Sequence, residues 1–113
     1  MAKRVGLRQD GENAGMGKAY QAAKAGGAHQ GWYKERLGDG PVQLAKSLRS
    51  FAQQADMHQG WLADPASKVP DWELKDARYQ RGLLAKWRQD IRRHHEQIDI
   101  ILGVLKEKES SNG

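Results

Sequence analysis

Three histidines stand at positions where an imidazole ring could transfer protons. His29 lies in a glycine-rich stretch just before an aromatic pair, where a substrate could approach the ring closely. His58 and His94 each occupy a position of a helical repeat that is otherwise apolar. Imidazole titrates near neutral pH, which suits general acid–base catalysis. We therefore name His29, His58 and His94 as candidate catalytic residues. The alternative for His58 and His94 is a hydrogen-bonded core histidine or one at the partly open end of a hairpin. The alternative for His29 is that the glycines around it end helices and that Trp32 and Tyr33 belong to the core.

Metal binding is a second chemistry that these side chains suggest. Asp90 and His94 lie four residues apart, as do His95 and Asp99, so each pair shares one face of a helix. A zinc site needs at least three protein ligands, and each pair supplies only two. The chain contains no cysteine that could complete such a site. We predict surface ion pairs instead, with no metal and no cofactor.

A basic stripe is the third chemical feature. Six cations and one acid lie between Arg78 and Arg93, in a chain of net charge +5. Such a stripe could follow an RNA phosphate backbone or attract an acidic protein. The alternative is a solvated helix face, on which the aliphatic parts of the arginine side chains shield neighbouring apolar residues while the charges stay in water. The candidate nucleic-acid-binding residues follow helical spacing along one side: Arg78, Arg81, Arg88 and Arg92.

The first long element that must position these residues is a helix predicted over residues 41–63. Pro41 follows a glycine and suits the first helical position, where its missing N–H costs nothing. Apolar residues then recur at alternating steps of three and four, which is typical of helices that pack against one another. The apolar residues are Leu44, Leu48, Phe51, Ala55 and Leu62, and His58 occupies the position of the repeat between the last two.

A second long helix is predicted over residues 77–107, with Asp76 as its N-cap and Asp71 as an earlier alternative. Pro65 and Pro70 interrupt the helical pattern before it. No strand pattern occurs, and a short connection joins two apolar seams, which indicates an all-α antiparallel hairpin of two long helices. The apolar repeat of the second helix consists of Leu84, Trp87, Ile91, Ile98, Ile101 and Leu105, and His94 occupies the position between Ile91 and Ile98.

Folding the chain about this connection predicts which residues face each other. Phe51 is expected near Leu84. His58 is expected near the connection and His94 near residue 41. The two histidines should therefore not belong to one site.

The remaining segments surround the helical domain, which is predicted over residues 28–107. Residues 1–27 are rich in glycine, and we expect a flexible segment with one short helix that ends at Gly26-Gly27. Residues 108–113 are expected to form a disordered tail. The N-terminal segment should pack on the hairpin and cover the end of the second helix. A second copy of the chain is the alternative cover, so the expected state is a monomer or a homodimer.

Targeting signals are not evident. Met1 is followed by basic residues but by no apolar run of the length that a secretory signal requires. No apolar stretch is long enough to span a membrane. A cytoplasmic location without membrane association is the expectation.

Three motifs follow one another along the chain. They are a His-x-Gly-aromatic-Tyr start at His29, a Ser-Leu-Arg-Ser helix that ends in His-x-x-x-Leu-x-x-Pro at Pro65, and a Lys-Trp-x-x-Asp-Ile helix from Lys86. Together they resemble the C-terminal modules of bacterial polymorphic toxins of the Rhs-repeat and contact-dependent-inhibition type. The resemblance covers residues 28–65 and 69–105. It implies a role in competition between bacteria, with delivery to the cytoplasm of the target cell, but it supplies no reaction.

Three function hypotheses follow from these observations. The first is a toxin-like effector module that acts on RNA, with ribonuclease activity if one of the histidines transfers protons. The alternative is a non-catalytic helical binding module that docks a carrier or an acidic, immunity-like protein. A small regulator that binds nucleic acid is a third hypothesis. A helix-turn-helix does not fit, because the connection between the helices is too long and rich in proline.

Overall fold

The computed structural model describes residues 17–112, with their side chains described as far as residue 110, and this part of the chain is helical without any strand. The all-α fold class is therefore confirmed. Helix α1 covers residues 17–24, and the predictions made for residues 1–16 lie outside the described residues. The other elements are α2 (Gln30–Leu37), α3 (Pro41–Ala63), two short 3-10 turns (Pro65–Ser67 and Trp72–Leu74) and α4 (Ala77–Asn112).

The turn between α1 and α2 depends on two residues with left-handed backbone conformation. Gly26 has a φ of 99°, a value that glycine adopts without steric cost. His29 has a φ of 68° and is the N-cap residue of α2, although its side chain does not cap the helix. The predicted helix stop at Gly26-Gly27 agrees with the end of α1 at residue 24.

The two long helices begin where the sequence places their start signals. Pro41 opens α3, and the Asp76 carboxylate accepts the backbone N–H of Arg78 at 2.7 Å. Helix α4 continues to Asn112, so the prediction of a disordered tail from residue 108 was wrong for the described residues. The physical reason is that Glu107 accepts hydrogen bonds from Tyr20 and Tyr33, which hold the last turns of α4 in place.

The described residues divide into two compact units. The first unit comprises residues 17–48 together with 96–112, and the second unit comprises residues 49–95. The core of the first unit is formed by apolar side chains with almost no exposed surface. They include Ala23, Leu44, Ile100, Ile101 and Val104.

Aromatic rings form the centre of the second unit, and they correct the predicted register. The Phe51 ring stacks on His94 at a centroid distance of 5.8 Å, whereas the sequence predicted a contact with Leu84. The reason lies in the connection between the helices. Trp72 from this connection stacks on Trp87 of α4, and its carbonyl accepts the Gln80 amide at 2.7 Å. Trp61 of α3 also contacts the Trp87 ring, so Phe51 lies against a later turn of α4 than the prediction expected.

Candidate functional site

The four arginines predicted to bind nucleic acid lie on one exposed side of α4, here called the arginine face. At about 100° per residue, their directions fall within an arc of about 80° around the helix axis. All four residues are exposed. Among the described side chains, no carboxylate lies within ion-pair distance of their guanidinium groups. The arginine face consists of Arg78, Arg81, Arg88 and Arg92.

Two other cations of α4 behave differently, because an acid lies within their reach. Lys86 donates to Asp90 at 2.9 Å, and Arg93 donates to the other oxygen of the same carboxylate at 3.2 Å. The Lys86 hydrogen bond is the main cause that lowers the pKa of Asp90, and the charges of Lys86, Arg93 and His58 lower it further. Asp90 is therefore an anion at neutral pH, although it is only 7% exposed.

Asp90 belongs to a buried polar cluster that also contains His58 and His94. The Nε2 atom of His58 lies 3.4 Å from the Asp90 carboxylate, and its Nδ1 lies 2.7 Å from the carbonyl oxygen of Gln54. The rings of His58 and His94 are 5.7 Å apart, centroid to centroid. The prediction that these histidines lie at opposite ends was therefore wrong. Its cause is the same error in register that misplaced Phe51.

Burial limits what this cluster can do. His58 and His94 are each 8% exposed, and the Trp61 ring lies 4.5 Å from His58 between centroids. Both nitrogens of His58 face oxygen atoms of the protein, which satisfies the ring within the fold. A catalytic base must come within hydrogen-bond reach of its substrate, and neither ring is open to one in this conformation. The geometry therefore favours a structural role for both histidines.

His29 differs from the other two candidates because its ring is accessible. Its side chain is 40% exposed, and its Nε2 lies 3.2 Å from the Glu96 carboxylate, which is itself 39% exposed. When the Glu96 carboxylate accepts a hydrogen bond from Nε2, it favours the tautomer that carries its hydrogen on Nε2. The Nδ1 atom of that tautomer can accept a proton. Non-glycine residues with positive φ carry backbone strain and occur preferentially at functional sites. His29 is thus the sequence-predicted histidine whose geometry suits proton transfer.

No group of three or more histidine, cysteine, aspartate or glutamate side chains among residues 17–110 is arranged to hold a metal ion. Within the same part of the chain, no helix combines the length and the apolar character that a membrane span requires. Asp90 does form ion pairs, with Lys86, Arg93 and His58, but its carboxylate is buried and not on the surface as the sequence predicted.

A hydrogen-bonded network in the first unit was not foreseen. One oxygen of Glu107 accepts the hydroxyl of Tyr20 at 2.7 Å and that of Tyr33 at 2.6 Å, and Lys24 lies 3.5 Å from it. Asp99 accepts the backbone N–H of Tyr20 at 3.0 Å, which ties α1 to α4. The sequence contained one signal for this network, since both acids lie near the end of α4, which the N-terminal segment was expected to cover.

The network shifts the pKa values of its members in opposite directions. Burial, and then the hydrogen bond to Glu107, raises the pKa of Tyr33 to about 12 from an ordinary value of 10.0. The pKa of Tyr20 is raised by the same two causes. The hydrogen bonds from Tyr33 and Tyr20 lower the pKa of Glu107. The fold therefore favours the neutral tyrosines and the ionised glutamate.

These shifts predict an alkaline transition that involves Tyr33. A group whose pKa is raised by folding stabilises the fold fully below its unfolded pKa, and this contribution disappears as the pH rises through its folded pKa. We expect the near-ultraviolet absorbance of tyrosinate to show a component near pH 12, followed by loss of the contact between α2 and α4 that Tyr33 makes with Glu107. The Tyr33→Phe variant should lack this component, and Tyr79→Phe should retain it. Ionisation of Tyr33 close to the ordinary value of about 10 would contradict the network.

Comparison of the chain with protein-family models, with curated proteins and with solved structures gave no match in any of the three. The resemblance to polymorphic toxins consequently stays a prediction.

Proposed function

We propose that this chain is a toxin-like effector module that binds RNA through the arginine face of α4. The observation that carries the proposal is the set of four exposed guanidinium groups without a carboxylate partner among the described residues. On the same helix, Lys86 and Arg93 both bind Asp90. The arginine face thus presents four cations of α4 that remain available to external anions.

The chemistry of the face suits phosphate. A guanidinium group is planar and permanently charged, and it binds phosphate oxygens through two parallel hydrogen bonds. The interval from Arg78 to Arg92 spans about 21 Å at about 1.5 Å per residue. A strand laid along that length presents several phosphates. Their release of counterions would drive binding and make it depend on salt.

His29 is the residue to which we assign proton transfer, if the module cleaves RNA. Its ring is exposed and Glu96 orients it, whereas His58 and His94 are buried. The resemblance to polymorphic toxins suggests that the RNA belongs to a competing cell and that the module acts in the cytoplasm of that cell. We also propose that α3 and α4 form one antiparallel hairpin, with the N-terminal segment packed on it.

Expression inside a bacterium tests the function. We expect growth arrest and RNA cleavage with the wild-type chain, and loss of both in the His29→Ala variant. The matched control is His95→Ala, since His95 is also exposed and lies on α4. Circular dichroism must show that both variants remain helical. Growth arrest that survives in His29→Ala would remove this residue from the mechanism.

The second candidate is a non-catalytic helical binding module that docks a carrier or an acidic, immunity-like protein. The burial of His58 and His94, each 8% exposed, favours it because it removes two of the three candidate catalytic groups. Normal growth and intact RNA, at good expression of a folded chain, would support this alternative. Purified protein would then form a stable complex with its partner without any turnover.

A further inference from the structure

The last turns of α4 form a cleft with the first residue of α3. Its volume is about 560 Å³, and sites for small molecules usually measure about 300–1,000 Å³. Every residue that lines the cleft belongs to the first unit, whereas the arginine face belongs to the second. The cleft thus shares no residue with the surface to which we assign RNA. It is lined by Pro41, Leu102, Leu105, Lys106, Lys108 and Glu109.

The middle of the cleft is apolar. Leu102 and Leu105 are three residues apart on α4, so their side chains are neighbours on one side of the helix. Leu102 is 37% exposed and Leu105 is half-buried. Pro41 forms an apolar wall opposite them. A ligand whose apolar part covers these side chains would remove their surface from water, which is favourable.

A lysine lies on each side of the two leucines. Lys106 follows Leu102 by four residues, and at about 100° per residue it points about 40° to one side of it. Lys108 follows Leu105 by three residues and points about 60° to the opposite side. Among the described side chains, no carboxylate lies within ion-pair distance of either ammonium group. Both cations are therefore available to an anion in the cleft.

The acids near the cleft leave it with an excess of positive charge. Glu109 is exposed and is the acid that lines the cleft. Glu107 is next to both lysines in the sequence, but its carboxylate accepts the hydroxyls of Tyr20 and Tyr33. Two cations thus face one acid, so the cleft favours an anion over a cation of the same shape.

From the apolar middle and the flanking ammonium groups, we infer that this cleft binds a small amphiphile with one anionic head group, such as a medium-chain fatty acid. The alkyl chain packs on Leu102, Leu105 and Pro41, and the carboxylate binds Lys106 or Lys108. A free amphiphile suits the cleft better than a second copy of the chain, because a second copy would bring the same excess of positive charge to the contact. The inference goes beyond the proposed function and does not depend on RNA binding.

The test titrates the full chain with decanoate and with decyltrimethylammonium, both below the concentrations at which they form micelles, and follows the leucine methyl signals by nuclear magnetic resonance. We expect saturable binding of decanoate that shifts the signals of Leu102 and Leu105. Decyltrimethylammonium should bind about ten-fold more weakly, because its charge is opposite. Each CH₂ group removed from decanoate should weaken binding by about two- to four-fold.

Variants separate the contributions of charge. Lys106→Gln combined with Lys108→Gln should weaken decanoate binding by about ten-fold, and Glu109→Gln should tighten it by about three-fold. Both variants should have opposite effects on decyltrimethylammonium. The matched control is Lys18→Gln combined with Lys34→Gln, because both lysines are exposed residues of the first unit outside the cleft.

Leu102→Ser tests the apolar part of the cleft and should weaken decanoate binding by about five-fold. Its matched control is Leu74→Ser, since Leu74 is 84% exposed and belongs to the second unit. Circular dichroism must show equal helical content in all variants.

Three results would overturn the inference. The first is equal affinity for decanoate and decyltrimethylammonium, which would mean adsorption without recognition of the head group. The second is binding to vesicles of anionic lipid without saturable binding of free decanoate. The third is a dimer in sedimentation velocity that Leu102→Ser dissociates, because a second copy would then cover the cleft. The comparison of the two amphiphiles uses the unmodified chain, so it decides the matter even if a variant fails to fold.

Discussion

Replacing the four residues of the arginine face by glutamine should weaken RNA binding on the order of a hundred-fold at low salt. Exposed charge contacts contribute little individually, and four of them at about 0.7 kcal/mol each sum to about 2.8 kcal/mol, or a factor of about 100. The fold should tolerate the change, because these side chains are exposed and pair with no acid of the described residues. The quadruple variant is Arg78→Gln, Arg81→Gln, Arg88→Gln and Arg92→Gln.

The matched control removes the same charge from other places. Four exposed cations outside the arginine face can be replaced by glutamine together, which lowers the net charge from +5 to +1, as in the first variant. If RNA binds at the arginine face, this control variant should retain most of its affinity for RNA. An equal loss in both variants would mean that overall charge, and not the arginine face, drives binding. The control is Lys18→Gln, Lys34→Gln, Lys46→Gln and Arg49→Gln.

The largest effect on stability is expected from Gly103→Ala. A Cβ atom at Gly103 would overlap the ring of Tyr20, which must then move and give up its hydrogen bond to Glu107. Overpacking typically costs about 1–3 kcal/mol, and the lost hydrogen bond adds about 1 kcal/mol. Alanine regains about 1 kcal/mol through its helix propensity. We therefore expect the free energy of unfolding to fall by about 2 kcal/mol, measured by denaturant unfolding.

Gly82→Ala is the matched control, because Gly82 lies on the same helix and a Cβ there meets no atom within 4 Å. Because no clash occurs there, only the higher helix propensity of alanine acts. The free energy of unfolding of this variant should therefore rise by up to about 1 kcal/mol. The Tyr20→Ala background offers a second check. Once the ring is absent, Gly103→Ala should stabilise the chain like Gly82→Ala. Destabilisation that persists without the ring would show that Tyr20 is not the cause.

Much of the helical structure could be predicted because its signals are local. Pro41 and Asp76 mark helix starts through their own backbone chemistry, and Gly26 marks a helix end in the same way. The end of α4 could not be predicted locally. Residues 108–112 are polar, and their helix is held by the contacts of Glu107 with tyrosines more than seventy positions earlier in the chain.

The histidines show where reasoning from the sequence reaches its limit. The seam pattern correctly marked His58 and His94 as enclosed positions, and both are buried. The pattern could not show that the two histidines lie together, because a repeat of three and four residues is compatible with several registers of two packed helices. The packing of Trp72 on Trp87 decides the register, and no spacing rule encodes that contact. The exposure of the four arginines, in contrast, followed from helical periodicity alone.

The most direct test of the central claim is the salt dependence of RNA binding by the unmodified chain. The affinity for single-stranded oligoadenylate should be measured by anisotropy across a series of salt concentrations. Four phosphate contacts predict that log K falls with log salt at a slope of about −2.8, which is about a 50-fold loss between about 50 and 200 mM. A slope near zero, or no binding at the lowest salt, would contradict the assignment of the arginine face to RNA.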